Sequence, residues 1–453
     1  MASLSSSTTT DNPILNCLYV TLGCAKNEVD TDRMRALLNE AGFGEAHDVD
    51  EADVVLINTC SFLASATSES IDATLDLADD VAQGVRRRPI VMCGCVPSRY
   101  GDQLAGQLPE VAAFVRADEE DGIVEVVRGV LEIEGQDSEA LGNRVLRTVE
   151  GASAFVKISD GCDRYCAFCA IPYIRGRYHS RPAAEILDEV AELMRGGVRE
   201  VVLIGQDTGI WGSDMGDGYS LAWLLRRVGE VVRPYNGWVR VLYLQPEGMT
   251  DDLIAAIRDT PEVLNYIDIP VQHCDEKILK SMNRSGSLEQ LRAVFDKLRS
   301  EIPGMVLRTT GLVGFPGETD DQFDELLSFV TEQEFDYTSV FSYSQEDGTA
   351  AAKMANQVSE DVKLDRAQQL LDVAEEMGFA ATAKHVGEEA DVIIDGVEET
   401  DDGVELIGHT WFQAPDCDGA VHIAEGEASV GDVVRVKLVD SFCYELVGEI
   451  IGE

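Results

Sequence analysis

Ala154-Phe-Val-Lys-Ile-Ser159 is an apolar, β-rich run that leads through Asp160-Gly161 into Cys162-Asp-Arg-Tyr-Cys166-Ala-Phe-Cys169. Three thiols spaced C-x₃-C-x₂-C fall one short of a structural Cys₄ zinc site, and no fourth Cys or His follows at finger spacing. Soft thiolates suit an iron–sulfur cluster. Three of them hold three irons of a cubane and leave the fourth open. The strand before the motif is the first of six such runs: Ala154–Ser159, Glu200–Gly205, Trp238–Tyr243, Tyr266–Val271, Val306–Val313 and Tyr337–Tyr343. Helical stretches fall between or after them at Ala183–Arg195, Leu221–Val232, Asp251–Arg258, Leu288–Arg299, Asp320–Gln333 and Asp361–Met377. Six strand–helix units predict a partial (β/α)₆ TIM-like barrel, whose reactive face lies at the carboxyl ends of its strands. The cysteine motif follows the first strand and so falls on that face.

Upstream, strands are expected at Leu15–Leu22, Asp53–Ile57, Pro89–Met92 and Phe114–Ala117. Helices are expected at Asn27–Ala41, Ala66–Gln83, Asp102–Leu108 and Glu119–Val130. This alternation is the pattern of a doubly wound parallel sheet in an α/β domain. Cys24, Cys60 and Cys95 each end one of the first three strands, about 35 residues apart. Groups at the carboxyl ends of such strands converge in one crevice, so these three thiolates can also hold a cluster with an open iron. Buried structural cysteine is the competing reading. Cys93 points to the same side of its strand as Cys95 and is a rival ligand, but Cys95 holds the strand end. Cys17, Cys274, Cys417 and Cys443 lack partner spacing and read as small core hydrophobes.

From Lys384 the pattern changes again. Short β-like runs at Ala390–Ile394, Val404–Gly408, Val433–Val439 and Leu446–Ile451 alternate with Gly and Asp turns, which predicts a small antiparallel β-barrel. An acidic, Gly-containing stretch from Glu132 to Asn143 marks the break between the first two domains. The expected division is a tail at residues 1–13, a cluster domain at 14–135, a linker at 136–147, a barrel core at 148–383 and a terminal barrel at 384–453. A chain of 453 residues has room for this at roughly 150 residues per domain.

Composition narrows the function. There are 83 Asp and Glu against 36 Lys and Arg, a net charge of −47. Such a chain repels nucleic acid unless it carries a basic patch. The acidity reads as a solvated surface of the kind found in salt-rich cytoplasm, or as an attraction for a basic partner. No apolar run reaches about 18 residues, so no transmembrane helix is expected. Met1–Pro13 has no Lys or Arg and resembles neither a secretory signal nor a transit peptide, which leaves the cytoplasm as the default. Eleven cysteines in a reducing compartment point to metal binding or catalysis.

Cys162-x₃-Cys166-x₂-Cys169, with Phe168 before its last ligand, resembles the signature of the radical S-adenosylmethionine enzymes. The three-cysteine amino-terminal domain, the barrel and the terminal barrel (TRAM-like) together resemble the methylthiotransferases over nearly the whole chain after Pro13. Ile171-Pro-Tyr-Ile-Arg-Gly176 with Ser180-Arg181, Gly205-Gln-Asp-Thr208, Gly408-His-Thr410 and Ala414-Pro-Asp-Cys-Asp-Gly419 are similar to the branch that acts on a ribosomal protein. That branch modifies an aspartate of the small-subunit protein S-twelve. A tRNA-type enzyme is expected to show Gly-Gln-Asn where Gln206-Asp207 stands. Departures from the family pattern are Cys93, Tyr178-His179 and the acidity.

The resemblance implies two [4Fe-4S] clusters, on Cys162, Cys166 and Cys169 and on Cys24, Cys60 and Cys95. It implies S-adenosylmethionine as radical source and as methyl donor, and a C–S–CH₃ product at the aspartate β-carbon. An electron donor such as flavodoxin or ferredoxin and a sulfur donor are implied partners. Phe168 would lie against the adenine, Gly196-Gly197 would reach the methionine amine, and Gly311 and Gly314 would line the adenine side. Barrel packing, a helix cap and a simple turn are the plainer readings of these residues. Gln272 and His273 end the fourth strand and face the cavity by position; a histidine there is as often a structural hydrogen-bonder. Arg86-Arg87-Arg88 reads as a solvated loop.

Three functions compete. One is the ribosomal-protein enzyme. Another is the same chemistry on an isopentenyl- or threonylcarbamoyl-adenosine of tRNA. The third, an electron carrier or RNA-binding module, is disfavoured because carriers close all four iron sites. Residues 384–453 hold 18 Asp and Glu and only Lys384, Arg435 and Lys437 as cations. An RNA-binding barrel needs a positive groove, so a nucleic-acid substrate is disfavoured and a basic protein fits better.

Overall fold

The computed structural model describes residues 14–83, 88–104, 106–133, 147, 149, 151–400 and 403–451. The chain falls into two compact units, one of residues 1–61 and 65–148, the other of residues 62–64 and 149–453.

In the first unit, β1 (Asn16–Thr21), β2 (Gly44–Glu45), β3 (Val54–Thr59), β4 (Ile90–Gly94) and β5 (Val111–Arg116) form one parallel sheet in the order β2-β1-β3-β4-β5. The helices are α1 (Ala25–Glu40), α2 (Ala64–Gln83), α3 (Cys95–Tyr100) and α4 (Ile123–Val130). Strands β3 and β4 are buried along their whole length, as expected of a parallel sheet covered on both faces. Separate cores around Leu38 and Val91 and around Ile57 and Met92 are those two layers. The strand order reverses between β1 and β3, which puts the ligand crevice at their carboxyl ends.

Three expectations change here. The helix at Asp102–Leu108 does not form; α3 starts at Cys95 itself and gives way to one 3₁₀ turn at Gly101–Gln103. Pro97 sits in the first turn of α3, where its missing N–H costs nothing. The two-residue β2 is too short to leave a sequence pattern. Arg88 is not a solvated loop residue: it is buried and donates to Ala52 O at 2.8 Å and Asp50 O at 2.7 Å. Arg86, Arg87 and linker residues 136–146 lie outside the described residues.

In the second unit, β6 (Ser153–Lys157) is followed by a ribbon of β7 (Ser159–Asp160) and β8 (His179–Ser180), with α5 (Ile171–Ile174) inside its loop. Then come α6 (Ala183–Arg195), β9 (Glu200–Ile204), α7 (Leu221–Val232), β10 (Trp238–Val241), α8 (Asp251–Asp259) and β11 (Tyr266–Asp268). After α9 (Glu276–Ser281) and α10 (Leu288–Glu301) follow β12 (Val306–Val313), α11 (Asp320–Gln333), β13 (Tyr337–Ser342) and α12 (Glu360–Ala383). The six parallel barrel strands occur as expected, but in two sheets, β10-β9-β6 and β11-β12-β13. At the seam, β11 has only three residues and Pro270 follows it without a donor.

The terminal barrel closes in the order β14-β15-β16-β18-β17, from β14 (Glu389–Thr400), β15 (Gly403–Thr410), β16 (Val421–Ile423), β17 (Val433–Ser441) and β18 (Leu446–Ile450). The three-residue β16 escaped the sequence pattern. It pairs with β18 in parallel, so the barrel is antiparallel in every pair but that one.

Candidate functional site

The ribbon of β7 and β8 ties the two ends of the cysteine loop together, Asp160 opposite His179. Gly161 turns the chain at φ 70°, and a Cβ there would stand 2.2 Å from Arg177 O, so only glycine fits. The loop is then fastened at several points. Asn283 Nδ2 donates to Arg164 O at 2.9 Å and Tyr165 O at 3.1 Å, Ala167 N donates to Met282 O at 2.8 Å, and Ala351 N donates to Ala167 O at 2.8 Å. Tyr165 takes a left-handed conformation, φ 49°, between two of the cysteines. A bulky residue held there is strain that the surrounding bonds must sustain.

Cys162 is buried, and Cys166 and Cys169 are partly so. Burial pushes the Cys169 thiol up to about 12 and raises Cys162; Cys166 raises both further, and Cys162 also raises Cys169. Three thiolates in one short loop are therefore costly unless a cationic group neutralises them. The backbone N–H groups of Arg164 and Ile171 offset part of that rise at Cys162 and Cys169 respectively.

The end of β9 supplies the second side of this site. Asp207 is buried and forms an ion pair with Arg164 of the cysteine loop, which Glu247 also engages at 2.5 Å. Beside it, Gln206 Oε1 and Thr208 Oγ1 are buried without a hydrogen-bond partner among the described residues. Two such orphans at a strand's carboxyl end fit a polar cofactor that would satisfy them. The sequence reading quoted Gly205–Thr208 as a family marker and overlooked it as part of the site.

Gly196 and Gly197 need correction. They cap α6, with Gly197 at φ 107° and Val198 N bonded to Leu193 O at 3.2 Å. That turn precedes β9 and lies at the amino ends of the strands, away from the cysteine loop, so the helix-cap reading holds. Gly314 also differs from expectation: its N–H is taken by both Glu318 carboxylate oxygens, at 3.0 Å each. A Cβ on Gly311 would meet Leu370 of α12 at 2.9 Å, so that position packs against the helix. Gln272, partly buried, pairs its backbone with Gly311.

His273 is fully buried. Its Nδ1 accepts from the Cys274 and Asp275 N–H groups at 3.0 Å each, and burial pushes it down to about 4. It is a neutral structural hydrogen-bonder, with Nε2 3.7 Å from Glu318 Oε2. Phe168 is half-buried against the cluster of Met282, Phe315 and Tyr343 at the ends of the later strands.

The first unit carries the other three cysteines. Cys24 is the N-cap of α1, Cys60 directly follows β3, and Cys95 opens α3 directly after β4. Gly23, at φ 105°, lets the chain pass Cys60: a Cβ there would stand 2.5 Å from Cys60 Cβ. Asn27, fully buried, ties the three strand ends together. Its Nδ2 donates to Leu22 O and to Thr59 O at 2.9 Å each, and the Cys95 thiol lies 3.8 Å from its Oδ1. Asn27 lies in Cys24-Ala-Lys-Asn27, one helical turn past a candidate ligand, and that spacing is its signal in the sequence. Cys93 is buried in the core on β4, where burial raises its thiol well above the usual range. It stands in the sheet, whereas Cys95 has left it.

Among the described residues no three His, Cys, Asp or Glu side chains are arranged to hold a single metal ion. A cubane takes each thiolate on a different iron, so its ligands stand wider apart than those of one ion. Thiol-only donor sets of three suit that cluster better than a mononuclear site.

No helix among the described residues is long and apolar enough to cross a membrane. Residues 156–330 match the Radical SAM superfamily, residues 16–116 match the uncharacterized protein family UPF0004, and residues 386–451 match the TRAM domain. Ribosomal protein uS12 methylthiotransferase RimO of Trichlorobacter lovleyi is 41% identical over 442 residues, covering 96% of this chain and 98% of that one. The enzyme of the same name from Geobacter sulfurreducens is 41% identical over 441 residues, again covering 96% and 98%. A solved radical S-adenosylmethionine methyltransferase, TsrM from Kitasatospora setae, superposes with a TM-score of 0.54 at 13% identity, over 73% of this chain and 72% of that one, a likeness of fold alone. Identity at this level along nearly the whole length places the chain in the ribosomal protein uS12 methylthiotransferase family.

Proposed function

We propose that this chain places a methylthio group on the β-carbon of an aspartate of ribosomal protein uS12, using two [4Fe-4S] clusters and S-adenosylmethionine in the cytoplasm. The observation that carries the reading is likeness to uS12 methylthiotransferases over 96% of the chain, with a three-cysteine set in each of its two units. Cys162, Cys166 and Cys169 would hold one cluster and Cys24, Cys60 and Cys95 the other. Bound there, the first supplies the electron that cleaves S-adenosylmethionine and the second a site for the sulfur to be transferred.

The chain's own residues do the rest. Arg164, held by Asp207 and Glu247, keeps the cysteine loop against the end of β9. Gln206 and Thr208 offer polar atoms to S-adenosylmethionine, and Phe168 an apolar face. Asn27 keeps the three strand ends of the first unit in register. Carboxylates of the terminal barrel steer a basic protein toward the enzyme. Residues 14–135, 148–383 and 384–453 serve as cluster domain, catalytic barrel and terminal barrel, and a reductant such as flavodoxin or ferredoxin and a sulfur donor complete the system.

The test sets purified small ribosomal subunits beside bulk tRNA, each with enzyme, reductant, sulfide and S-adenosylmethionine. A gain of about 46 Da on uS12, the mass of SCH₃ replacing H, is expected from this chemistry. A methylthio-adenosine in tRNA with unchanged uS12 would overturn the substrate.

A further inference from the structure

We infer that the terminal barrel is a clasp across the two halves of the catalytic barrel, and that His409 and Asp418 are the positioning residues that set it. The inference rests on the proposed function only for one of its readouts. Backbone contact between the two three-strand sheets comes from the Val239–Val263 bridge, made by Val239 N to Glu262 O at 2.8 Å and Leu264 N to Val239 O at 2.9 Å, and from Leu244 N to Asp268 O at 2.9 Å.

His409, on β15, is buried and reaches the first half. Its Nε2 lies 2.7 Å from Glu200 Oε2 on β9, and its Nδ1 lies 2.5 Å from Asp395 Oδ2 on β14. A carboxylate on each ring nitrogen requires both nitrogens to donate, so the geometry holds an imidazolium. Glu200 in turn accepts from Arg240 Nε on β10 at 2.6 Å. Asp418, also buried, reaches the second half. It accepts from Arg308 Nε on β12 at 3.0 Å and from the Tyr266 hydroxyl on β11. Arg308 continues to Asp268 at 3.3 Å and to Ser339 Oγ on β13 at 2.9 Å.

The seam between the halves is crossed from within. The Arg240 guanidinium of β10 stands 4.4 Å over the Tyr266 ring of β11. Its two terminal nitrogens have no hydrogen-bond partner among the described residues, so the ring is what they meet. Glu200 and Tyr266 are the first residues of their strands, at the end opposite the cysteine loop. His409 and Asp418 therefore touch none of the reacting groups. They fix the angle between the half-sheets, and with it the spacing of the Cys162–Cys169 loop after β6 from Phe315 and Tyr343 beyond β12 and β13. Gly408-His-Thr410 and Ala414–Gly419, which mark the ribosomal-protein branch in sequence, thus act on the catalytic barrel.

Hydrogen exchange at the Leu244 and Leu264 amides reads the seam directly in the full-length, anaerobically reconstituted protein. His409→Asn and Asp418→Asn should each raise that exchange about tenfold or more. They should also lower S-adenosylmethionine cleavage in the absence of ribosomal protein several-fold, at unchanged iron content. If seam exchange and cleavage match the wild type while only uS12 modification falls, the barrel is a docking module and the inference is overturned. If the wild type itself modifies no uS12, the proposed function fails and seam exchange still decides the clasp. Should the Asn variants not fold, His409→Gln and Tyr266→Phe each remove a single bond; their seam exchange should rise about threefold, and no rise would overturn the clasp.

Discussion

The two cysteine sets reach their places by opposite routes. Cys162, Cys166 and Cys169 share one short loop, pinned at its root by a two-residue ribbon. Cys24, Cys60 and Cys95 sit at the ends of three neighbouring strands and share one edge of the sheet only because it is folded. A loop-borne site carries its geometry in local backbone, while a sheet-borne site takes its geometry from a whole domain. Damage to the fold should therefore strike the second site first.

The largest expected effect separates the sites outright. Reconstituted protein should hold about eight irons, since each set suits a four-iron cubane. Alanine at Cys162, Cys166 and Cys169 should leave about four irons and abolish S-adenosylmethionine cleavage. Alanine at Cys24, Cys60 and Cys95 should also leave about four, with cleavage retained. Eight irons in the second variant would remove those cysteines as ligands.

Two asparagines sharpen the contrast. Asn27→Ala strips one buried carbonyl, Thr59 O, and one partly buried carbonyl, Leu22 O, of a donor and should cost about 3 kcal/mol in the first unit. Asn283→Ala releases Arg164 O and Tyr165 O, but in an exposed setting, and should cost about 1 kcal/mol. Iron retention under a chelator, beside thermal melts, compares them. Equal losses from both clusters would show that the loop is no more self-sufficient than the crevice.

His409 extends the comparison, because it joins residues 209 apart in sequence. Glu200 and Asp395 outweigh burial and raise it to about 9 in the folded protein. A folded value above the usual 6.5 stabilises fully below about 6.5 and is lost as pH rises through about 9. The shift corresponds to about 3 kcal/mol. Melts of the wild type between those pH values should fall more steeply than those of His409→Gln, and parallel curves would exclude the imidazolium. The smallest effect is ionic. If the net charge of −47 reflects a salt-rich cytoplasm, melting temperature should climb by a few degrees from low to molar KCl as the Debye length shrinks from about 30 Å to 3 Å. A flat response would favour a partner-directed acidic face.

Much of the fold was legible because its strands are apolar runs with one period. Val54–Ile57 and Ile90–Met92 announce a doubly covered sheet, and the six barrel strands lie within a few residues of their expected places. What escaped was short or offset: β2, β7, β8 and β16, the short helices α5 and α9, the start of α3 at Cys95, and the buried role of Arg88. These elements owe their form to neighbours distant in the chain, and a pattern of a few residues carries too little periodicity to announce itself.

The sequence by itself determined the chemistry of the donors, the three-part organisation and the face on which the cysteine loop stands, because thiol spacing and strand periodicity are local properties. Only the tertiary structure decided the rest. It put Gly196 and Gly197 at the far end of the barrel, committed the Gly314 N–H to Glu318, and set His273 among backbone donors. It also gave Asp207, His409 and Asp418 partners that no spacing foretold. A buried polar side chain takes its role from whichever partner the fold brings within about 3 Å, and that partner is set by packing across the whole domain.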